Sequence, residues 1–183
     1  MVVCCLAITG VALAQPDSLW SRNYGGEWRD DCCSLVQTED KGYMLAGYTA
    51  AYGAGDYDFW LVRTSENGDS IWSRTYGGED REVCNSIIRT TNGGFALAGF
   101  TDSFGTGSYD FWLMRTDENG DSLWSRTFGG ERYEECHSLI QTADRGFALA
   151  GYTRSFGAGD DDFWLVRTNE DGDSLWSRTY GGG

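Results

Sequence analysis

Short apolar runs follow one another along this chain, each closed by glycine or a small polar residue. Over residues 69–120 there are four: Ser70 to Tyr76 (SIWSRTY), Cys84 to Thr90 (CNSIIRT), Gly94 to Thr101 (GFALAGFT) and Asp110 to Thr116 (DFWLMRT). Runs of this length, rich in β-branched and aromatic residues and bounded by turn residues, predict β-strands. Asn67-Gly68 and Asn119-Gly120, each between two apolar runs, predict hairpins. A two-residue turn at Asn67-Gly68 pairs Arg63 with Trp72 and Leu61 with Arg74. One face then carries Phe59, Leu61, Arg63, Trp72, Arg74 and Tyr76, and the other carries Trp60, Val62, Thr64, Ile71, Ser73 and Thr75. Both faces hold large apolar groups, so the sheet is expected to be covered on both sides.

The four runs recur. Aligned copies start at Asp17, Asp69, Asp121 and Asp173, 52 residues apart with no gap, and a period of this size marks a repeat architecture. A four-stranded sheet packed between copies of itself is a propeller blade. The small-residue run Gly94 to Gly99 suits a strand near a crowded axis, which makes Cys84 to Thr90 the innermost strand and the tryptophan-bearing run the outermost. The expected fold is therefore all-β, a β-propeller-type repeat of three four-stranded antiparallel blades over 32–77, 84–129 and 136–181. One extra N-terminal outer strand is expected over 17–25. Propellers typically need about four or more blades to close, so the ring is expected to be open. The chain is then either a piece of a larger propeller or a homo-oligomer joined through its open blade faces.

Composition narrows the class. The 8 Trp, 10 Tyr and 9 Phe with 26 Gly and 1 Pro suit an aromatic-rich β protein with many turns. A net charge of −14 disfavours nucleic acid and anionic membrane surfaces. The acids fall at both ends of the expected blades, which fits solubility better than a binding funnel. Met1 to Ala14 is apolar and uncharged and ends in Ala12-Leu13-Ala14. It reads as a secretory signal, too short to span a bilayer, which leaves 15–183 as the exported propeller segment. Cys32, Cys84 and Cys136 share one repeat position and read as small buried residues, with no zinc-site spacing.

Leu61 to Thr64, Gly68, Trp72, Thr75 to Gly78 and Gly93 to Thr101, with their counterparts one period away, carry a resemblance. In these residues the chain resembles the secreted bacterial β-propeller repeat family, whose units serve as scaffolds in large exported proteins. Gly68 followed by Trp72 is also similar to the tryptophan-docking motif of quinoprotein propellers. That similarity implies a blade-docking role for Trp20, Trp72, Trp124 and Trp176, and no quinone cofactor. Arg63, Arg115 and Arg167 face Trp72, Trp124 and Trp176 and are expected to lay a guanidinium on the indole, a contact of about 0.5 to 2 kcal/mol.

Two acids recur in the loops. Glu27, Glu79 and Glu131 follow the Gly-Gly pair, and Asp58, Asp110 and Asp162 open a strand. The aspartates are expected to accept backbone N–H bonds and fix their loop, as the turn aspartate of WD-repeat propellers does. The rival is a Ca²⁺ site in each blade built on Glu27, Asp56 and Asp58, although no calcium motif is present. His137 is the sole histidine, its counterparts are Cys33 and Asn85, and no nucleophile elbow or phosphate loop occurs. The expected function is an exported scaffold for protein or glycan binding without enzymatic activity. The alternatives are an extracellular polysaccharide-active enzyme and a Ca²⁺-binding adhesion module.

Overall fold

The computed structural model describes residues 19–182, so the expected secretory signal lies outside the described residues. The first sheet is β1 (Asp30–Gln37), β2 (Tyr43–Thr49), β3 (Asp58–Thr64) and β4 (Ser70–Tyr76). The second is β5 (Glu82–Arg89), β6 (Phe95–Thr101), β7 (Asp110–Thr116) and β8 (Ser122–Phe128). The third is β9 (Glu134–Gln141), β10 (Phe147–Thr153), β11 (Asp162–Thr168) and β12 (Ser174–Tyr180). In each, the strands lie side by side in chain order and antiparallel. The described residues thus form three propeller-like blades in an open arrangement, as the repeat predicts.

The hairpin between the two outer strands keeps the expected register by an unexpected route. Arg63 pairs with Trp72 and Leu61 with Arg74, but Thr64 pairs with Ser70, so the ladder shifts by one residue at Ile71. The loop is correspondingly one residue longer, with Ser65 N–H donating to Asp69 C=O at 2.9 Å. Gly68 has φ +77°, and Asn67 is not in the left-handed region. A longer loop ending in a left-handed glycine is the next most common hairpin after the two-residue turn, and here its extra residue and the bulge cancel.

Sequential sheets pack face to face. Met44, Phe59 and Leu61 of the first blade meet Cys84, Leu97 and Trp112 of the second. Ala96, Phe111 and Leu113 of the second meet Cys136, Leu149 and Trp164 of the third. At both joints a phenylalanine lies against the tryptophan of the next blade, with centroids 4.5 Å apart for Phe59 and Trp112 and 4.7 Å for Phe111 and Trp164. The middle blade is covered on both sides, and every residue of β6 and β7 is buried. Burying each large apolar side chain there, such as Phe95, Leu97, Phe111 and Leu113, stabilises the fold by about 1.5 to 3 kcal/mol.

Of the outer strand expected over 17–25, the described part, residues 19–25, is in no strand. The places beside β3, β7 and β11 that such a strand would take are held by β4, β8 and β12. Side chains hold it instead. The Trp20 ring lies 5.9 Å from that of Tyr43, and the Tyr24 hydroxyl donates to the carbonyl of Gly68.

Candidate functional site

The inner strands β1, β5 and β9 neighbour one another, and each carries a bulge that skips one residue of the ladder. The skipped residues are Cys33, Asn85 and His137. At the bulge the inner strand presses on its partner: a Cβ on Gly99 would run into the backbone of Val83, as would one on Gly151 into Glu135. Glycine at these positions is required by that approach. A bulge bends the strand and re-aims one side chain, and Asn85 and His137 both line a recess of ≈ 340 Å³ between the inner strands.

Tyr48, Tyr57, Phe100 and Tyr109 form part of the wall. Tyr48 meets Tyr57 edge-on at 5.1 Å, Phe100 stacks on Tyr109 at 4.5 Å, and Tyr109 meets Tyr133 edge-on at 5.2 Å. Arginines lie over the rings: Arg29 is 5.5 Å from Tyr48, Arg81 is 5.0 Å from Tyr57, and Arg154 is 5.5 Å from Tyr133. Arg81 also donates to the Tyr109 hydroxyl at 3.1 Å. Tyr48 donates to Asp31 at 2.8 Å, and Arg29 donates to the same oxygen at 2.9 Å. Burial, then the Asp31 hydrogen bond, pushes the Tyr48 phenol up to about 12. In return the Tyr48 hydroxyl and the Arg29 guanidinium hold Asp31 below the usual carboxylate range. On the third blade burial, then Glu135, raises the Tyr152 phenol likewise.

Part of this lining departs from the repeat: Val83 and Glu135 stand at one equivalent position and Asn85 and His137 at a second, whereas Arg29 and Arg81, and Tyr57 and Tyr109, repeat. The strand cores around them are nearly identical from copy to copy.

Neither a protein-family model nor a curated protein matches the chain. Two solved structures are similar in fold. A eukaryotic initiation factor is 11% identical with a TM-score of 0.47, the match covering 88% of this chain and 35% of that one. A protein of unknown function from Bacteroides caccae is 9% identical with a TM-score of 0.39, covering 81% and 67%. The chain thus spans about a third of the length of the first.

The residues singled out in the sequence fall elsewhere. Trp72 and Trp124 stand against Gly120 and Gly172 of the following blade, Trp20 stands against Gly68, and Trp176 is exposed on the third blade. The guanidiniums over the indoles are those of Arg74, Arg126 and Arg178, not of Arg63, Arg115 and Arg167. Arg115 instead donates to the carbonyls of Phe95, Thr116 and Gly93 at 2.7 to 2.9 Å and to Asn92. Arg63 donates to Thr64 C=O and to Asp40, and Arg167 to Thr168 C=O and to Asp144. Several hydrogen bonds from a charged donor to backbone carbonyls, at about 1.5 to 3 kcal/mol each, outweigh one cation–π contact.

Asp58, Asp110 and Asp162 turn into their own loops and accept from the N–H groups of Ala54, Thr106 and Ala158 at 2.5 to 2.9 Å. Glu27, Glu79, Glu131 and Asp56 are exposed. The trio Glu27, Asp56 and Asp58 is not brought together, and among the described residues no group of three or more acids, histidines or cysteines is arranged around a cation. No helix among the described residues is long and apolar enough to cross a membrane. The sequence reading passed over a buried acid. Glu134 is fully buried, accepts from Thr153 Oγ1 at 2.8 Å and from Gly130 N–H at 2.8 Å, and faces Asp110 across Gly129. Glu82 and Asp30 hold the same position in the other blades. Their recurrence every 52 residues was the signal.

Proposed function

We propose that this chain is an exported binding scaffold whose inner recess takes a glycan. The observation that carries the reading is a recess lined by tyrosines and arginines whose lining changes at two positions, Val83 against Glu135 and Asn85 against His137, between copies whose framework repeats. A lining that only held the blades together would repeat with them, whereas an asymmetric ligand needs different groups from each blade. The repeated blades are a binding or scaffold fold, and the recess falls within the roughly 300 to 1,000 Å³ typical of ligand pockets. Tyrosine faces suit the C–H faces of sugar rings, and the neighbouring Asn85, Arg81 and Glu135 suit hydroxyls. The apolar opening Met1 to Ala14 supports export. Binding rather than turnover is favoured because the Asp31 carboxylate is taken up by Tyr48 and Arg29.

The test is a glycan array followed by calorimetry with neutral and acidic hexasaccharides, comparing the parent with Tyr57→Ala and Asn85→Ala. Micromolar to millimolar binding that weakens at least about tenfold in either variant is expected, a loss of about 1.4 kcal/mol. Silence across the array, or binding indifferent to both substitutions, overturns the reading.

A further inference from the structure

The joints inside this chain show what each blade face takes. Phe59 and Phe111 are completely buried, each against the tryptophan of the next blade. Their counterpart on the third blade, Phe163, is 75% exposed, and it lies with Leu165 and Tyr180 in an apolar recess of ≈ 490 Å³. The opposite face, on the first blade, is the matching half. Leu35 is 57% exposed, whereas its counterparts Ile87 and Leu139 are buried at 3% in the two internal joints. The chain therefore presents both halves of a joint that it makes twice within itself, and apolar faces of this kind mark interaction surfaces.

The outer rim of the first blade's face is already taken. Trp20 stands on Gly68 and Tyr24 donates to its carbonyl, just as Trp72 stands on Gly120 and Tyr76 donates to that carbonyl. Residues 19–24 thus fill the place that the outer strand of a preceding blade would fill. The residues that correspond on the third blade, Trp176 and Tyr180, are 44% and 54% exposed.

We propose that the exposed face of the third blade takes the exposed face of the first blade of a second copy, head to tail, and that residues 19–24 guard this joint. Association sets Trp176 and Tyr180 of one copy on Gly68 of the next, and Trp20 and Tyr24 leave that place. The exchange at the rim is of like for like, so the driving force is the burial of Phe163, Leu165 and Leu35. The contact joins two different surfaces, so it propagates until a ring closes.

Sedimentation of the full chain and its variants tests this. Phe163→Asp and Leu35→Asp, both at exposed positions, are each expected to remain at the 20.3 kDa monomer mass. Mixed together they are expected to form a one-to-one dimer, because each retains the half that the other lacks. Trp20→Ala is expected to associate at least about tenfold more tightly than the parent; should it fail to fold, Tyr24→Phe removes one bond of the guard and is expected to shift association the same way. A mixture that stays monomeric while the parent associates, or a loosened guard that leaves association unchanged or weaker, overturns the proposal.

Discussion

Trp72 of the first blade stands so close to Gly120 of the second that a Cβ on the glycine would fall 2.6 Å from the indole. Gly120 also has φ +79°. One residue thus serves as the left-handed end of a hairpin and as the surface on which the neighbouring blade rests. Gly120→Ala meets both penalties, about 1 to 2 kcal/mol for the backbone and about 1 to 3 kcal/mol for the overpacking. Urea unfolding should show a loss of about 2 to 5 kcal/mol. Gly182→Ala, where nothing lies within 4 Å, should stay within about 0.5 kcal/mol. Equal effects would remove the blade contact from the explanation.

Asp110 gives stability a pH dependence opposite to that of an ordinary ion-paired carboxylate. Burial, opposed by the Thr106 N–H bond and helped by the facing Glu134, pushes its carboxyl up to about 6. A pKa raised on folding means that the native state holds the proton more tightly than the unfolded chain does. Its contribution is therefore complete below about pH 4 and is lost as pH rises through about 6, by about 1 to 3 kcal/mol in all. Asp110→Asn keeps an acceptor for Thr106 and should flatten the denaturation midpoint between pH 4 and 7. An unchanged slope would assign the dependence to other groups.

Cysteine labelling should divide the repeat. Burial raises all four thiols, but Cys84 and Cys136 are buried whereas Cys32 and Cys33 are exposed. Reactivity requires thiolate and access. Mass spectrometry of peptides from native protein treated with iodoacetamide should find adducts at Cys32 and Cys33, and at Cys84 and Cys136 only after unfolding. Early modification of Cys84 would mean that the first joint opens readily.

Arg115→Lys should cost about 1 to 3 kcal/mol, because an ammonium cannot reach the four acceptors that the planar guanidinium serves and leaves buried carbonyls without donors. Thermal unfolding checks it. Arg126→Lys, over an exposed rim, should change stability by about 0.5 kcal/mol or less. Reversed sizes would restore the stacking role that the sequence assigns to Arg115.

The strands, their faces and the 63/72 register were legible because alternation and a gapless period constrain them twice over. The loop at Asn67-Gly68 was not, since a longer turn with a bulge at Ile71 gives the same pairing as a shorter turn without one. Residues 17–24 (DSLWSRNY) nearly repeat 69–76 (DSIWSRTY), yet 70–76 form a strand and 19–24 do not, since a ladder needs a neighbour that no local pattern encodes. Alternation placed Arg63 on the right face of its sheet but left open where the guanidinium ends, which Thr64 C=O and the Asp40 carboxylate decide. The recess escaped notice because its residues come from three copies far apart in sequence.

The bulges at Cys33, Asn85 and His137 have a further consequence. A residue that the ladder skips can be exchanged without shifting any other residue to the wrong face. The three copies can therefore differ at this letter while every other letter stays in step, which leaves the innermost strands adjustable within a fixed framework.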